Sequence, residues 1–338
     1  MATMNDVARL AGVSNATVSH VVNGTRKVNP ETVAKVEDAI RELDFRPNEQ
    51  ARSLKTGQSR LIGVLNYCSV DDYFSEVLVS LEGAAHDAGY DVLIRHTERD
   101  GEDQGAAIAA WLNKGIDGLV ISSPYITPGF IETLARVTCP CVFLNFYDPA
   151  IHVDSIESDD LSASYEAARY LIGLGHRRIA CISGWTAAYH TASQRRSGYE
   201  RALAEAGLPI REEYFISTDY GYQPGFDAMM RLLELPEPPS ALLTYSDQLA
   251  LGAIRAAADR GKSVPRDLSV IGFDDIELAS YCQPRLTTIR QDKKQIGELA
   301  VRQILKRRQQ PDLPPERIIL AARLILREST APASQANQ

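Results

Sequence analysis

From Leu61 onward the chain alternates short apolar runs with amphipathic helical stretches, and it does so twice. LIGVLNY (61–67) leads into a helical pattern that places Phe74, Val77, Leu78, Leu81 and Ala85 on one face and ends at Gly89. DVLIR (91–95), DGLVISS (117–123) and CVFLNF (141–146) follow, with helical stretches between them. A second series begins at RRIACISG (177–184) and continues through YFIS (214–217), ALLTY (241–245) and LSVIGF (268–273). Strand–helix alternation of this kind predicts parallel sheets covered on both faces. Two series of similar layout predict two Rossmann-like lobes. Such sheets bind ligands beyond the carboxyl ends of their strands, so the expected small-molecule site is a cleft between the lobes.

Polar and aromatic residues just past strand ends are therefore the candidates. Asp71, Asp72, Tyr73 and Phe74 follow the first strand, and Asn145, Phe146 and Tyr147 the fourth. Trp185, Tyr189, Thr191 and Arg195 follow IACISG. Tyr220 and Tyr222 follow YFIS, Ser246 and Asp247 follow ALLTY, and Asp274 and Asp275 follow VIGF. Rings that stack on an apolar ring face, with Arg and Asp bonding hydroxyls or a polar edge, fit a sugar or a nucleoside. Each aromatic is equally readable as core. Arg195 and Asp274 stand out, because a charge at a strand end is costly to bury without a partner.

The first sixty residues have another character. The chain carries a net charge of −8, which argues against nucleic acid, yet residues 1–60 hold nine basic against seven acidic side chains. The sign changes where the strand pattern begins. Thr3 can cap a helix with Asp6 at its third position, Val7, Ala8, Leu10 and Ala11 give that helix an apolar face, and Gly12 ends it. Ser14 caps a second helix with Val18, Val21 and Val22 inward, and Asn29-Pro30 opens a third with Val33, Val36, Ile40 and Leu43 inward. Two short helices joined by a tight turn and braced by a third describe a helix-turn-helix module; an ordinary small bundle is the alternative. The outer face of the second helix carries Asn15, Ala16, Ser19 and His20 in place of a Lys/Glu lattice. Asn can bond adenine bidentately and an Ala methyl can meet a thymine methyl. Ser14, Thr17 and Ser19 can bond phosphates, which position without reading sequence.

FRPNEQARSLKTGQSR (45–60) joins this module to the lobes. Pro47 breaks the third helix, Asn48 caps a short segment ending in Leu54, and the rest is polar. So short a helix is marginal alone. It could fold on DNA, with Arg52 and Lys55 on phosphates and Leu54 as a minor-groove wedge; a plain linker is the alternative.

DVARLAGVSNATVSHVVN (6–23), RPNEQARSL (46–54) and SVIGFDDIELASYCQPRLTTIRQD (269–292) together resemble the lactose-repressor (LacI/GalR) family of bacterial transcription regulators, over almost the whole chain. ATVSHVVN and ARSLK are nearest to its purine-repressor branch. The resemblance implies a three-helix headpiece over 1–46, with Thr3 and Asn23 joining the DNA-facing residues. It implies a hinge helix and linker over 47–60 whose Leu54 kinks the operator. It further implies a two-lobed, periplasmic-binding-protein-like effector domain over 61–330 and a flexible tail over 331–338. Tyr73, Phe74, Arg195, Ser246 and Asp274 fall where the family binds its effector. Asn145 stands where many sugar-binding members carry aspartate, Ser158-Asp159 where the family usually has Asp-Asn, and Tyr189 where the purine branch has a purine-contacting arginine. The expected partners are near-palindromic double-stranded operator DNA, a small effector and a second copy of the chain. TAPASQANQ (330–338) has no leucine heptads, so the expected assembly is a dimer.

Other chemistries find no footing. No apolar run approaches the roughly 20 residues of a membrane span, and the chain opens on Thr3-Met4-Asn5-Asp6 without a basic-then-apolar segment, which predicts a cytoplasmic protein. Five scattered cysteines form no CxxC, and six histidines show no metal spacing, so no metal or cofactor is expected. Gly261-Lys262-Ser263 matches the end of a phosphate loop, but Ala256 stands where its first glycine belongs. No GxSxG or HExxH occurs, and no GxGxxG follows a strand. The chain reads as a regulator rather than an enzyme. A sugar or sugar derivative is the expected effector, with a nucleobase or nucleoside, or a sugar receptor without a DNA role, as alternatives.

Overall fold

Three caps punctuate the first forty-five residues. In the computed structural model, which describes residues 2–23, 26–45, 58–67, 72–97, 103–123, 128–184 and 189–334, the chain divides into two units, Met1–Arg60 and Leu61–Gln338. Asn48, Arg52, Leu54 and Lys55 lie outside the described residues, as do Asp71 and Trp185.

Helix α1 (Met4–Ala11) starts at Thr3, whose hydroxyl accepts the Asp6 amide at 3.3 Å, while the Asp6 carboxylate accepts the Thr3 amide at 2.9 Å. This reciprocal pair satisfies two donors that the helix itself leaves open. Gly12 ends α1 at φ +64°, a left-handed conformation that costs glycine nothing. Ser14 accepts the Thr17 amide at 3.2 Å and opens α2 (Asn15–Asn23). Asn29 caps α3 (Pro30–Glu42). Val7, Ala8, Val18, Val36, Ala39 and Phe45 form the buried core. Leu10 was expected inward but is 46% exposed. At 100° per residue the inner stripe of α1 runs through Met4, Val7, Ala8 and Ala11, and Leu10 falls outside it. Phe45, beyond α3, supplies the missing bulk.

The second unit holds, among the described residues, two six-stranded sheets. The first joins β1 (Leu61–Tyr67), β2 (Asp91–Thr97), β3 (Gly118–Ser122), β4 (Cys141–Leu144), β5 (Asp154–Ser158) and β11 (Arg317–Leu320) in the order β2-β1-β3-β4-β5-β11, all parallel. The second joins β6 (Ile179–Gly184), β7 (Phe215–Thr218), β8 (Ala241–Thr244), β9 (Ser269–Asp274), β10 (Thr287–Arg290) and β12 (Arg323–Ile325) in the order β7-β6-β8-β9-β10-β12, parallel except for β12. Both follow the doubly wound plan, which places a ligand crevice where strand order reverses. Helices α4 (Asp72–Asp87), α5 (Gln104–Asn113), α6 (Pro128–Leu134) and α11 (Lys293–Gln309) belong to the first lobe. Helices α7 (Asp160–Gly173), α8 (His190–Glu205), α9 (Tyr222–Leu233) and α10 (Asp247–Asp259) belong to the second.

The lobes are interleaved rather than consecutive. The chain leaves lobe 1 after β5, returns after β10 to build α11 and β11, and crosses again to end on β12. Lobe 1 is thus 61–158 with 293–320, and lobe 2 is 160–290 with the residues from 323. Strands β5, β10, β11 and β12 were not anticipated from sequence. DSIES (154–158) is polar yet wholly buried, because distant cations meet its carboxylates. Arg307 of α11 donates to Asp154 at 2.7 and 2.5 Å. The expected flexible tail also needs correction in its first residues. The Ala331 carbonyl accepts from Ser269 Oγ at 3.1 Å and lies 3.0 Å from His176 Nε2, and the Ala333 amide donates to the Leu174 carbonyl.

Candidate functional site

The residues expected to carry function fall on two surfaces, one in each unit. On the headpiece, Ser14, Asn15 and Ala16 are exposed and Thr17, Ser19 and His20 half-buried along α2, whose last residue is Asn23. Ser14 Oγ lies 2.9 Å from Thr17 Oγ1, and Asn15 Nδ2 donates to Asn5 Oδ1. Thr3 Oγ1 donates to Asp6 Oδ2 at 2.7 Å. Both asparagines of this pair are exposed.

In the second unit the carboxyl ends of the two sheets face a cavity of about 350 Å³, within the range of small-molecule sites. Tyr73, Asn145, Thr191, Arg195, Tyr220, Ser246 and Asp274 all line it. Phe74, Phe146 and Tyr189 do not. Phe74 lies one position further round α4 than Tyr73 and packs with Val77 and Leu81 in the lobe-1 core. Phe146 packs on Phe143, ring centroids 5.2 Å apart. Tyr189 precedes α8 and packs against the lobe-2 core.

Several lining residues escaped the sequence reading. Asn66 is the penultimate residue of β1 and Ser122 the last of β3, and the two are paired in register; the strand-end rule would have found them had it been applied to the last two strand residues as well as to those beyond. Gln291 follows β10, a strand without a sequence signal, and Gln248 hides in the first turn of α10.

Arg195 is buried at 6% exposure and is not the unpaired charge anticipated. Its Nε donates to Asp160 Oδ1 at 3.1 Å, its Nη1 to the Tyr245 carbonyl at 2.5 Å, and its guanidinium lies 3.6 Å from the Phe273 ring centroid. Burial works against the charge, but the Asp160 carboxylate outweighs it and holds the guanidinium above its ordinary pKa. Asn145, at φ +56°, donates to the Tyr73 hydroxyl at 3.0 Å. Burial pushes the Tyr73 phenol up, so it stays protonated. Asp274, at φ +107°, accepts from Gln291 Nε2 at 2.7 Å.

A second layer fixes these groups. Asp247 Oδ2 accepts the Ile276 amide at 2.8 Å and its Oδ1 accepts Thr288 Oγ1 at 2.5 Å, which pins the loop after β9. Only a glycine fits beneath it, since a Cβ at position 272 would lie 2.1 Å from Asp247 Oδ1. Burial pushes the Asp247 carboxyl up to about 7. Lys293, first residue of α11, donates to the Asp274 and Asp275 carbonyls at 3.0 and 2.8 Å and to Glu76 at 2.9 Å. Beside the crossings, Glu157 of β5 meets His190 of lobe 2 at 2.6 Å and also Arg317. Burial alone would raise the Glu157 carboxyl, but these two partners hold it below the ordinary range.

The cavity is rich in acceptors. Among its described lining residues, Asp72, Asp219 and Asp274 face it against a single cation, Arg195, which is already met by Asp160. Asn145 Oδ1 and Gln291 Oε1 are buried and find no partner among the described residues. Such a lining suits a neutral molecule carrying several hydroxyl donors and disfavours an anion. Among the described residues no group of His, Cys, Asp and Glu could hold a metal ion, and no helix is long and apolar enough to cross a membrane.

Residues 3–48 match the model of bacterial regulatory proteins of the lacI family, and residues 168–330 match a periplasmic binding protein-like domain. The ribose operon repressor of Escherichia coli (strain K12) is 40% identical over 330 residues, 97% of this chain and 100% of that protein. The lac repressor dimer, solved bound to operator and the anti-inducer ONPF, superposes with a TM-score of 0.89 at 32% identity, covering 98% of this chain and 99% of that one. A lacI-family regulator from Enterococcus faecium, solved with bound ribose, superposes at 0.73 with 27% identity, covering 81% and 100%.

Proposed function

The chain belongs to the lacI family of bacterial regulatory proteins, DNA-binding regulators rather than enzymes, and from that premise we propose that it is a cytoplasmic repressor, acting as a homodimer, whose hold on a near-palindromic operator is set by a neutral monosaccharide of about the size of ribose. The observation that carries the choice of ligand is the acceptor-rich cavity, with two buried side-chain oxygens awaiting donors. A phosphorylated sugar would bring its negative charge against Asp72, Asp219 and Asp274. The kinship with the ribose operon repressor points the same way.

On the DNA side, α2 enters the major groove with Asn15, Ala16 and His20 at base edges and Ser14, Thr17 and Ser19 at phosphates. Thr3, Asn23, Asn48, Arg52 and Lys55 add backbone contacts and Leu54 a minor-groove wedge, following the family resemblance. Sugar bonded to both lobes favours one closure over others, and only that difference in affinity can move the operator equilibrium.

Calorimetric titration and thermal shift with D-ribose, D-galactose, hypoxanthine and ribose 5-phosphate test the ligand. D-ribose should bind and raise the melting temperature by mass action. Binding of hypoxanthine without D-ribose overturns the sugar reading. Selection from random DNA should enrich a near-palindrome; failure to enrich one, with and without ligand, overturns the operator reading.

A further inference from the structure

We infer that Asp72 is a latch across the mouth of the cleft, which limits the size of the ligand admitted and slows its departure. Asp72 is the first residue of α4 in lobe 1. Its Oδ2 accepts from Tyr222 Oη at 3.2 Å and from Gln248 Nε2 at 2.9 Å. Both donors stand on lobe 2, in the first turns of α9 and α10, 150 and 176 residues further along the chain.

All three side chains line the cavity, so the bonds joining them are part of its wall. Their exposure shows which part. Tyr222 is 43% exposed, and Asp72 and Gln248 are half-buried, whereas Ser246, Asp274 and Gln291, which also line the cavity, are 4, 8 and 3% exposed. The latch therefore stands where cavity meets solvent. Rotation of the lobes about their three crossings, in the sense that opens the mouth, must part α4 from α9 and α10 and break both bonds together. One carboxylate oxygen serves both donors, so a single side chain controls both ties, and each is a charge-assisted bond of the stronger kind. A monosaccharide fits behind the closed latch. A second ring or bulky aglycone would have to pass between Asp72 and Tyr222 and hold the latch open.

The ligand half of this inference rests on the sugar reading above; the latch itself does not. Two measurements on the full-length protein separate them. Hydrogen exchange without ligand reports the latch directly: Asp72→Ala should speed exchange of the amides around Asp72 and Tyr222. Stopped-flow with D-ribose should show dissociation faster by about tenfold or more, as expected on loss of bonds to a charged acceptor. A Tyr222→Phe/Gln248→Ala double variant, which leaves α4 untouched, should reproduce both changes and add nothing to Asp72→Ala. Asp72→Asn keeps the shape of the side chain and should fall between. Unchanged exchange in both Asp72→Ala and the double variant overturns the latch. Faster exchange with no D-ribose binding to the parent protein leaves the latch standing and removes the sugar.

Discussion

The headpiece surface and the effector cavity solve the same problem, presenting polar groups to a partner, in opposite ways. On the headpiece the polar groups pair with near neighbours: Ser14 with Thr17 three residues on, Thr3 with Asp6, Asn5 with Asn15 ten residues apart. In the cavity, Arg195 reaches back 35 residues to Asp160 and Asn145 reaches 72 to Tyr73. The first set is exposed or half-buried, and water can replace its members at small cost. The second is largely buried, so each group depends on a partner that only the finished fold delivers. A reading surface can be edited one residue at a time, whereas the cavity responds as a unit.

The largest test of this contrast is Arg195→Ala. Because Asp160 would be left buried and unpaired, the change should cost about 3–5 kcal/mol of stability as well as the ligand response. Denaturant unfolding and calorimetric titration measure both; loss of binding at unchanged stability would mean that the pair contributes nothing to the fold. On the headpiece, Asn15→Ala should leave stability nearly unchanged and shift base preference at one or two positions per half-site, each worth about 1–3 kcal/mol, as read by binding selection. Ser14→Ala removes a helix cap and should destabilise the headpiece by about 1 kcal/mol, with the melting of the lobes unmoved.

The smallest effect is a pH dependence at His176. Burial holds this imidazole below its ordinary value of 6.5, so it stays neutral between Ser240, Ser269 and the Ala331 carbonyl. Above about 6.5 its contribution to stability is complete. As the pH falls below that value the unfolded chain takes up a proton that the folded one resists, and stability declines. Equilibrium unfolding between pH 7.5 and 5 should show that decline in the parent protein and a flatter profile in His176→Gln.

How much of this was visible in the sequence follows the same division. Thr3, Ser14 and Asn29-Pro30 declare their helices because a cap depends on residues two or three positions away. The apolar strands β1, β6, β8 and β9 declare themselves by composition. DSIES (154–158) does not, because it is buried only through Arg307, His190 and Arg317, which arrive from 33 to 160 residues away. The interleaving of the lobes was hidden for the same reason: nothing local in 293–320 says that it completes a sheet begun at Leu61. Phe74 was misplaced in the cavity because proximity to a strand end does not say which way a helix turns. Arg195 was singled out for being a costly charge, which was sound, but its Asp160 partner stands 35 residues earlier on another helix of the same lobe, a pairing that periodicity cannot reveal.

The interleaving also orders events in time. The headpiece core is complete once Phe45 has been made. Lobe 1 lacks a helix and an edge strand until residue 320, and lobe 2 lacks its own edge strand until Ile325 and its His176 tie until Ala331. A chain emerging from the ribosome therefore carries the end that reads DNA for most of its synthesis before it owns a finished chamber for the ligand, and a message cut short between the codons for Phe45 and Ile325 would yield the reader without its governor.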